Sequence, residues 1–296
     1  MEEPRLELVR ARSEDGYELE GAAWVPRSPK GPAYILIHGM AGRFYSRTLV
    51  ELAQGLAGVG HPAVSGHTRG HDFGALMTRR GGGLALGGAA FEDVTEAPYD
   101  VGGWVDWAEA RWPGCPLVLV GHSLGGFKVA VYQAWRQDPR VHGLVLLSPA
   151  WSGSPRFWPP DIFDQARAAE AASGPWTLLP VARSPVTPLS ARTILSRVPA
   201  AWPRMLPDLV AEAAVPVLAT YGSEADLGGW PELRALQAVG ATVRWFGATD
   251  HHYRGAAEQV AFVIRRWWQS QAPEGSPTAA GTTNPKKEAR DESPHR

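Results

Sequence analysis

The sequence has one cysteine, Cys115, so it cannot form an internal disulfide and suits a reducing compartment. Neither sign of charge is in excess: 29 Lys and Arg stand against 30 Asp and Glu, for a formal net charge of -1. That balance argues against a nucleic-acid partner, an anionic membrane surface or a highly charged substrate. No apolar run is long enough to cross a bilayer. The opening Met1-Glu2-Glu3-Pro4-Arg5 is charged where a secretory signal would be apolar. A cytoplasmic protein acting on a small molecule, without membrane or nucleic acid, is therefore expected. Cofactor motifs are also lacking. Gly81-Gly82-Gly83 is not followed by the Lys-Ser/Thr of a phosphate loop, and reads as a flexible loop. His67 and His71 are four apart, but Arg69-Gly70 between them reads as loop and no carboxylate or cysteine cluster accompanies them. No metal and no cofactor are expected.

What is present is an ordered, loop-rich composition with 13 Trp, 33 Gly and 26 Pro. Short alternating segments at 6–9 and 17–24, separated by Glu14-Asp15-Gly16, predict an antiparallel hairpin. The apolar run 33–37 predicts a strand buried on both faces, followed by a helix over 45–56. The alternation continues. Strands are predicted at 62–65, 117–120, 144–147, 217–221 and 242–246. Helices are predicted around Val101 to Ala108 and over 124–136, 231–239 and 256–269. Such alternation implies an α/β fold with a mostly parallel central sheet covered by helices on both faces. Residues 1–150 and 213–271 would form this core. Residues 151–212, with Trp151, Phe157, Trp158, Trp176 and Trp202 and no clear strand, would form a helical cap insertion. Residues 272–296, rich in Pro, Gly, Ser, Thr and charge, read as a disordered tail.

Gly121-His122-Ser123-Leu124-Gly125 fits G-x-S-x-G, and it directly follows one predicted strand and opens a predicted helix. That context makes Ser123 the candidate nucleophile. An oxyanion hole needs two backbone N–H groups nearby. One should be that of Leu124, at the helix N-terminus, and the other that of Met40, in the loop His38-Gly39-Met40. The side chain of His38 reads as structural. A nucleophile on this strand draws its acid and then its base from later in the chain. The loop after 242–246 offers His251 and His252, with His251 preferred. The loop after 217–221 offers Glu224 and Asp226, with Asp226 preferred as lying further into the loop.

These pieces together resemble the α/β-hydrolase superfamily. The matching residues are His38-Gly39, Arg69-Gly70-His71, Gly121 to Gly126, Leu146-Leu147-Ser148-Pro149, Tyr221-Gly222 with Asp226, and Asp250-His251, in order over about residues 5 to 270. The resemblance implies the α/β-hydrolase fold, a variable cap and a Ser-Asp-His triad. It favours His251, since the family's histidine follows a short Gly/Ala/Asp run. Two features depart from the common pattern. Ala225 stands where the family's acid usually lies, and Asp72-Phe73 follows Arg69-Gly70-His71 where a glycine is common. That segment, with Leu86 to Asp93, resembles a subgroup that includes siderophore-type ester hydrolases. The expected activity is hydrolysis of a carboxylic ester of a small, moderately apolar substrate through an acyl-enzyme. The alternatives are acyl transfer or thioester cleavage on the same triad, and a non-catalytic ligand-binding protein of the same fold.

Overall fold

Residues of the central strands alternate between two apolar faces, and that alternation builds the molecule. The computed structural model describes residues 3–149, 158–159, 161–182, 184–197, 205–222, 230–247 and 249–271, with backbone only at 230–232. The first elements are β1 (Arg5–Arg12), β2 (Glu18–Val25), β3 (Ala33–Ile37), α1 (Arg47–Ala57) and β4 (Ala63–Gly66). A small hairpin, β5 (Ala75–Thr78) and β6 (Leu84–Gly87), precedes α2 (Ala97–Arg111). Then follow β7 (Leu117–His122), α3 (Leu124–Arg136), β8 (Val141–Leu147), α4 (Ile162–Ser173), β9 (Leu178–Leu179), β10 (Leu189–Ser190), α5 (Ala191–Leu195) and α6 (Leu206–Glu212). The described elements end with β11 (Val217–Tyr221), α7 (Trp230–Ala238), β12 (Thr242–Trp245) and α8 (Ala257–Gln271).

Eight strands form one sheet in the order β1-β2-β4-β3-β7-β8-β11-β12. β1 pairs antiparallel with β2, and β2 antiparallel with β4; every pairing from β4 to β12 is parallel. The mostly parallel sheet with an antiparallel N-terminal hairpin is therefore as the sequence implies. Ile35, Ile37, Leu117, Leu119, Leu144 and Leu146 face one layer, with Trp104 of α2 and Phe127 of α3. Tyr34, Leu36, Val118, Val120, Val145 and Leu147 face the other, with Leu49 and Leu52 of α1 and Ile264 of α8. Each fully buried side chain of this size contributes about 1.5–3 kcal/mol of transfer free energy, enough to fix the register of all the central strands. Trp104 fits where β2 and β4 lack side chains: a Cβ on Gly66 would lie 2.0 Å from its ring.

β4 lies on one side of β3 and β7 on the other, so the strand order reverses between β3 and β7. At such a switch point the two following loops leave the sheet in opposite directions and open a crevice at the strands' carboxyl ends. Ser123 and the loop 38–40 both stand there.

Two segments differ from the sequence reading. The glycine-rich stretch is a hairpin, β5–β6, and Gly81, Gly82 and Gly83 all take positive φ at its tip. Glycine tolerates such φ values because it has no Cβ. Between β8 and β11 a two-residue antiparallel ladder, β9–β10, accompanies the helices. Trp158, Ile162, Ala166, Val181, Leu189 and Ile194 of this segment form a third apolar cluster with Ala90, against which Met40 and Phe91 pack. Ser190 N–H and Thr193 Oγ1 both donate to Ala90 O, at 2.8 and 2.9 Å. Trp151, Phe157, Trp202 and the whole of 272–296 lie outside the described residues.

The C-terminal end of α3 generates a prediction. Asp138 accepts from Tyr132 Oη at 2.6 Å and from Arg140 Nη2 at 2.7 Å. Burial works to raise its carboxyl pKa, but the bonds from Arg140 and Tyr132 outweigh this and hold it at about 2. A depressed carboxylate stabilises the fold above its unfolded pKa, and loses that contribution as pH falls through the folded value. Asp138→Asn should therefore cost about 1–2 kcal/mol at pH 7, screening by water at Arg140 reducing the full shift. Urea melts should show the difference between the two proteins narrowing as pH falls from about 4 towards 2.

Candidate active site

Ser123 links the end of β7 to the start of α3 with φ 54 and ψ -121, a conformation that side-chain-bearing residues rarely adopt. Holding it costs of the order of 1–3 kcal/mol, which the surroundings must over-determine. They do so by backbone contact. A Cβ on Gly121 would lie 2.2 Å from Gly125 O, and one on Gly125 2.3 Å from Ile37 O. A Cβ on Gly39 would lie 2.8 Å from Ser123 Cβ. Strand β7, helix α3 and the loop after β3 thus meet main chain to main chain. Ser123 N–H donates to Leu147 O at 2.8 Å, which ties the turn to β8 as well. The serine is half-buried, at the carboxyl edge of the sheet.

The loop after β3 is set by His38. Thr68 N–H donates to His38 Nε2 at 3.0 Å, so the ring's proton sits on Nδ1, which donates to Gly39 O at 2.7 Å. Burial first, and then the charge of Lys128, hold the imidazole well below its ordinary pKa, so it is neutral. Gly42 N–H also donates to Gly39 O, at 3.0 Å. In a trans peptide the Met40 N–H points opposite to that carbonyl, so these two bonds fix its direction. Leu124 N–H lies at the first turn of α3, where backbone donors have no partner within the helix.

The loop at 250–253 is carried to the same edge. His122 Nε2 donates to His251 O at 2.8 Å, and its ring centroid lies 4.9 Å from that of His251 and 5.4 Å from that of His252. Of the two candidates, His251 is half-buried and His252 exposed. Asp250 is engaged locally: its Oδ1 accepts from the N–H groups of His252 at 3.0 Å and Arg254 at 3.1 Å. Burial opposes ionisation there, but those two bonds prevail and lower the carboxyl pKa. A Cβ on Gly222 would lie 2.1 Å from Asp250 O, so the chain leaving β11 does so against the histidine loop. Asp226 and Glu224 lie just beyond, outside the described residues.

Tyr253 is a residue the sequence reading missed. Its fully buried hydroxyl meets Thr220 Oγ1 at 2.8 Å and accepts from Ser148 N–H and Oγ, each at 3.0 Å. It pins the histidine loop to the ends of β8 and β11. Nothing in the local sequence marks it, because its partners are more than thirty residues away. Also missed is Lys128, fully buried on α3; the signal was a lone lysine in the apolar run Phe127 to Val131.

The loop after β4 is anchored by Arg69. Its guanidinium donates to Asp100 and Asp15 at 2.8 Å through Nη2 and to Glu96 at 2.8 Å through Nη1, while Arg69 N–H donates to Asp100 Oδ2. Beyond it His67 and His71 stack, with centroids 4.0 Å apart and planes 2° from parallel. A carboxylate does accompany them, contrary to the sequence reading: His71 Nδ1 and Asp72 Oδ2 are 2.8 Å apart, and Asp72 also pairs with Arg43. Burial first, then His71, lowers His67 to about 3. Ligand atoms of His67, His71 and Asp72 lie within 4.8 Å of one another. In the stacked arrangement the imidazole lone pairs run parallel rather than converge, so both rings could ligate one ion only after one of them rotated.

A family model described as serine aminopeptidase, S33, matches residues 29–215, more than half of the chain. Among solved structures, Est1E from Butyrivibrio proteoclasticus with bound ferulic acid is similar at 20% identity and a TM-score of 0.64, covering 89% of this chain and 99% of that one. A monoacylglycerol lipase from Paleococcus ferrophilus is similar at 19% identity and TM-score 0.62, covering 86% of this chain and 99% of that one. A thioesterase domain from the curacin biosynthetic pathway is similar at 16% identity and TM-score 0.58, covering 88% and 99%. At these identities the likeness is one of fold.

Removing the Tyr253 hydroxyl tests the anchor. Tyr253→Phe should destabilise the protein by about 1–2 kcal/mol, because Thr220 Oγ1 and Ser148 Oγ each lose a buried bond, while Ser148 N–H keeps Thr220 O at 2.8 Å. A fall in the urea midpoint at unchanged m-value would register it.

Proposed function

The chain belongs to the serine aminopeptidase, S33, family of α/β-hydrolases, and from that premise we propose that it is a serine-dependent hydrolase of carboxylic esters. The observation that carries the reading is the conformation of Ser123. Its unfavourable φ and ψ are enforced by glycines on three elements, a Cβ on Gly39 would lie 3.3 Å from Ser123 Oγ, and the preceding His122 bonds the loop that carries His251. Strain of this kind is retained where presentation of a side chain matters.

In the proposed mechanism His251 takes the proton from Ser123 Oγ as that oxygen attacks the ester carbonyl. The N–H groups of Leu124 and Met40 receive the oxyanion, in a site where fixed donors need no reorganisation. Collapse of the tetrahedral intermediate expels the alcohol, protonated by His251, and leaves an acyl-enzyme. Water then attacks with His251 again as base, releasing the acid and restoring Ser123. Asp226 is the proposed acid, holding the imidazole tautomer and stabilising the imidazolium. The partial burial of His251 favours it over the exposed His252 as base.

Residues 151–212 are proposed as a cap over this site, with 1–150 and 213–271 as the core. Met40 supports this, since it belongs both to the loop beside Ser123 and to the apolar contacts of the third cluster. A small, moderately apolar substrate suits such a wall, and no cofactor or metal enters the scheme. Among the described residues no helix is long and apolar enough to cross a membrane, and a cytoplasmic setting without membrane or nucleic-acid partners is proposed. The thioesterase likeness keeps thioester cleavage or acyl transfer on the same triad as the second reading.

The test is turnover of p-nitrophenyl esters of two to eight carbons, with an aminoacyl p-nitroanilide and an acyl thioester beside them. Ser123→Ala should lower kcat/KM by about 10⁴-fold or more with its fold retained. His251→Ala and Asp226→Ala should each lose at least about 10³-fold, while His252→Ala and Glu224→Ala stay within about tenfold of wild type. Loss in His252→Ala instead would reassign the base. A wild-type protein that neither turns over any substrate nor is labelled by a fluorophosphonate would be a binding protein of this fold.

A further inference from the structure

Behind the loop after β3 lies a group of three buried charges that the proposed reaction does not use. Lys128 is fully buried on α3, five residues beyond Ser123; its Nζ donates to Thr68 Oγ1 at 2.9 Å and pairs with the Glu92 carboxylate. Glu92, 1% exposed, has its other oxygen 3.4 Å from Arg197 Nη2. Arg197, itself buried, follows α5 in the segment between β8 and β11. Its Nη1 lies 3.5 Å from Met40 Sδ and its guanidinium sits over the ring of Trp158, 5.8 Å from the centroid. Gly70 leaves room for Glu92, since a Cβ there would lie 2.2 Å from Oε1.

As a source of stability this arrangement is poor. Each buried charge carries a large desolvation cost, and apolar residues of the same volume often serve the fold as well or better. What charged groups supply and apolar ones do not is direction. Lys128 fixes the Thr68 hydroxyl, and the same residue's N–H donates to His38 Nε2. His38 Nδ1–H then donates to Gly39 O, and the peptide that starts at this carbonyl ends at Met40 N–H. Arg197, paired with the same Glu92, meets the Met40 side chain.

We infer that Lys128, Glu92 and Arg197 are positioning residues that orient the Gly39–Met40 peptide for the oxyanion, and that Arg197 makes this orientation depend on the seating of the 158–197 segment. The inference rests on the hydrolase reading given above. It deepens that reading by giving the oxyanion donor a buried support that reaches into the segment over the site. A donor held at the wrong angle still permits substrate binding, but loses its interaction with the transition state.

Two variants test it in the full chain. Lys128→Met leaves Glu92 paired with Arg197, and Thr68→Val keeps every charge but removes the hydroxyl that Lys128 holds. Each is compared with wild type for kcat and KM, for the rate of Ser123 labelling by a fluorophosphonate, for affinity towards an alkyl trifluoromethyl ketone, and for melting temperature. The expected result is a loss of about 10- to 100-fold in kcat, labelling rate and ketone affinity, with KM within about twofold of wild type. A purely structural role would lower the melting temperature and leave the other three unmoved in the folded protein. Wild-type labelling and ketone binding in either folded variant overturns the inference. Should Lys128→Met not fold, Thr68→Val decides alone. A wild-type protein that is not labelled at Ser123 overturns the hydrolase reading itself, and this inference with it, so the two failures are distinguishable.

Discussion

Main chain packed on main chain around Ser123 is the constraint on which the rest of the structure depends. A residue with a side chain and positive φ relaxes unless every escape is blocked. Here Gly39, Gly121 and Gly125 bring β3, β7 and α3 so close that the turn has no other shape to take. The sheet's topology supplies the setting. Because the strand order reverses between β3 and β7, the two loops that must touch leave neighbouring strands at the same edge.

Three loops at that edge are each secured by a buried polar side chain. Arg69 holds the loop after β4 to α2 through Asp100, and Tyr253 holds the histidine loop to the ends of β8 and β11. Lys128 holds Thr68, and through it His38 and Gly39. Buried polar groups left unpaired are expensive, so fully satisfied ones give a loop a single low-energy placement.

Within the segment between β8 and β11, α6 packs Leu206, Leu209 and Val210 into the central core, while the described residues between 158 and 197 lie against the loop after β3 and the stretch after β6. Its apolar cluster includes Ala90 and touches Met40 and Phe91, and its Arg197 reaches Glu92.

The sequence by itself determined the layered α/β architecture, the strand and helix order of the central sheet and Ser123 as the turn between β7 and α3, and it left His251 and His252 as the candidate bases. These follow from patterns within a few residues: period-two and helical apolar spacing, and glycines bracketing a serine. The β5–β6 hairpin escaped because Gly81-Gly82-Gly83 looks the same in a flexible loop as in a turn of positive φ. Only the tertiary structure decided that His122, Gly222 and Tyr253 draw the histidine loop to the serine's edge, that Asp72 joins the stacked histidines, and that Lys128, Glu92 and Arg197 meet. Apart from the bond between the neighbours His71 and Asp72, those contacts join residues tens of positions apart, and they depend on the sheet having first brought its strands into register, which no local pattern encodes.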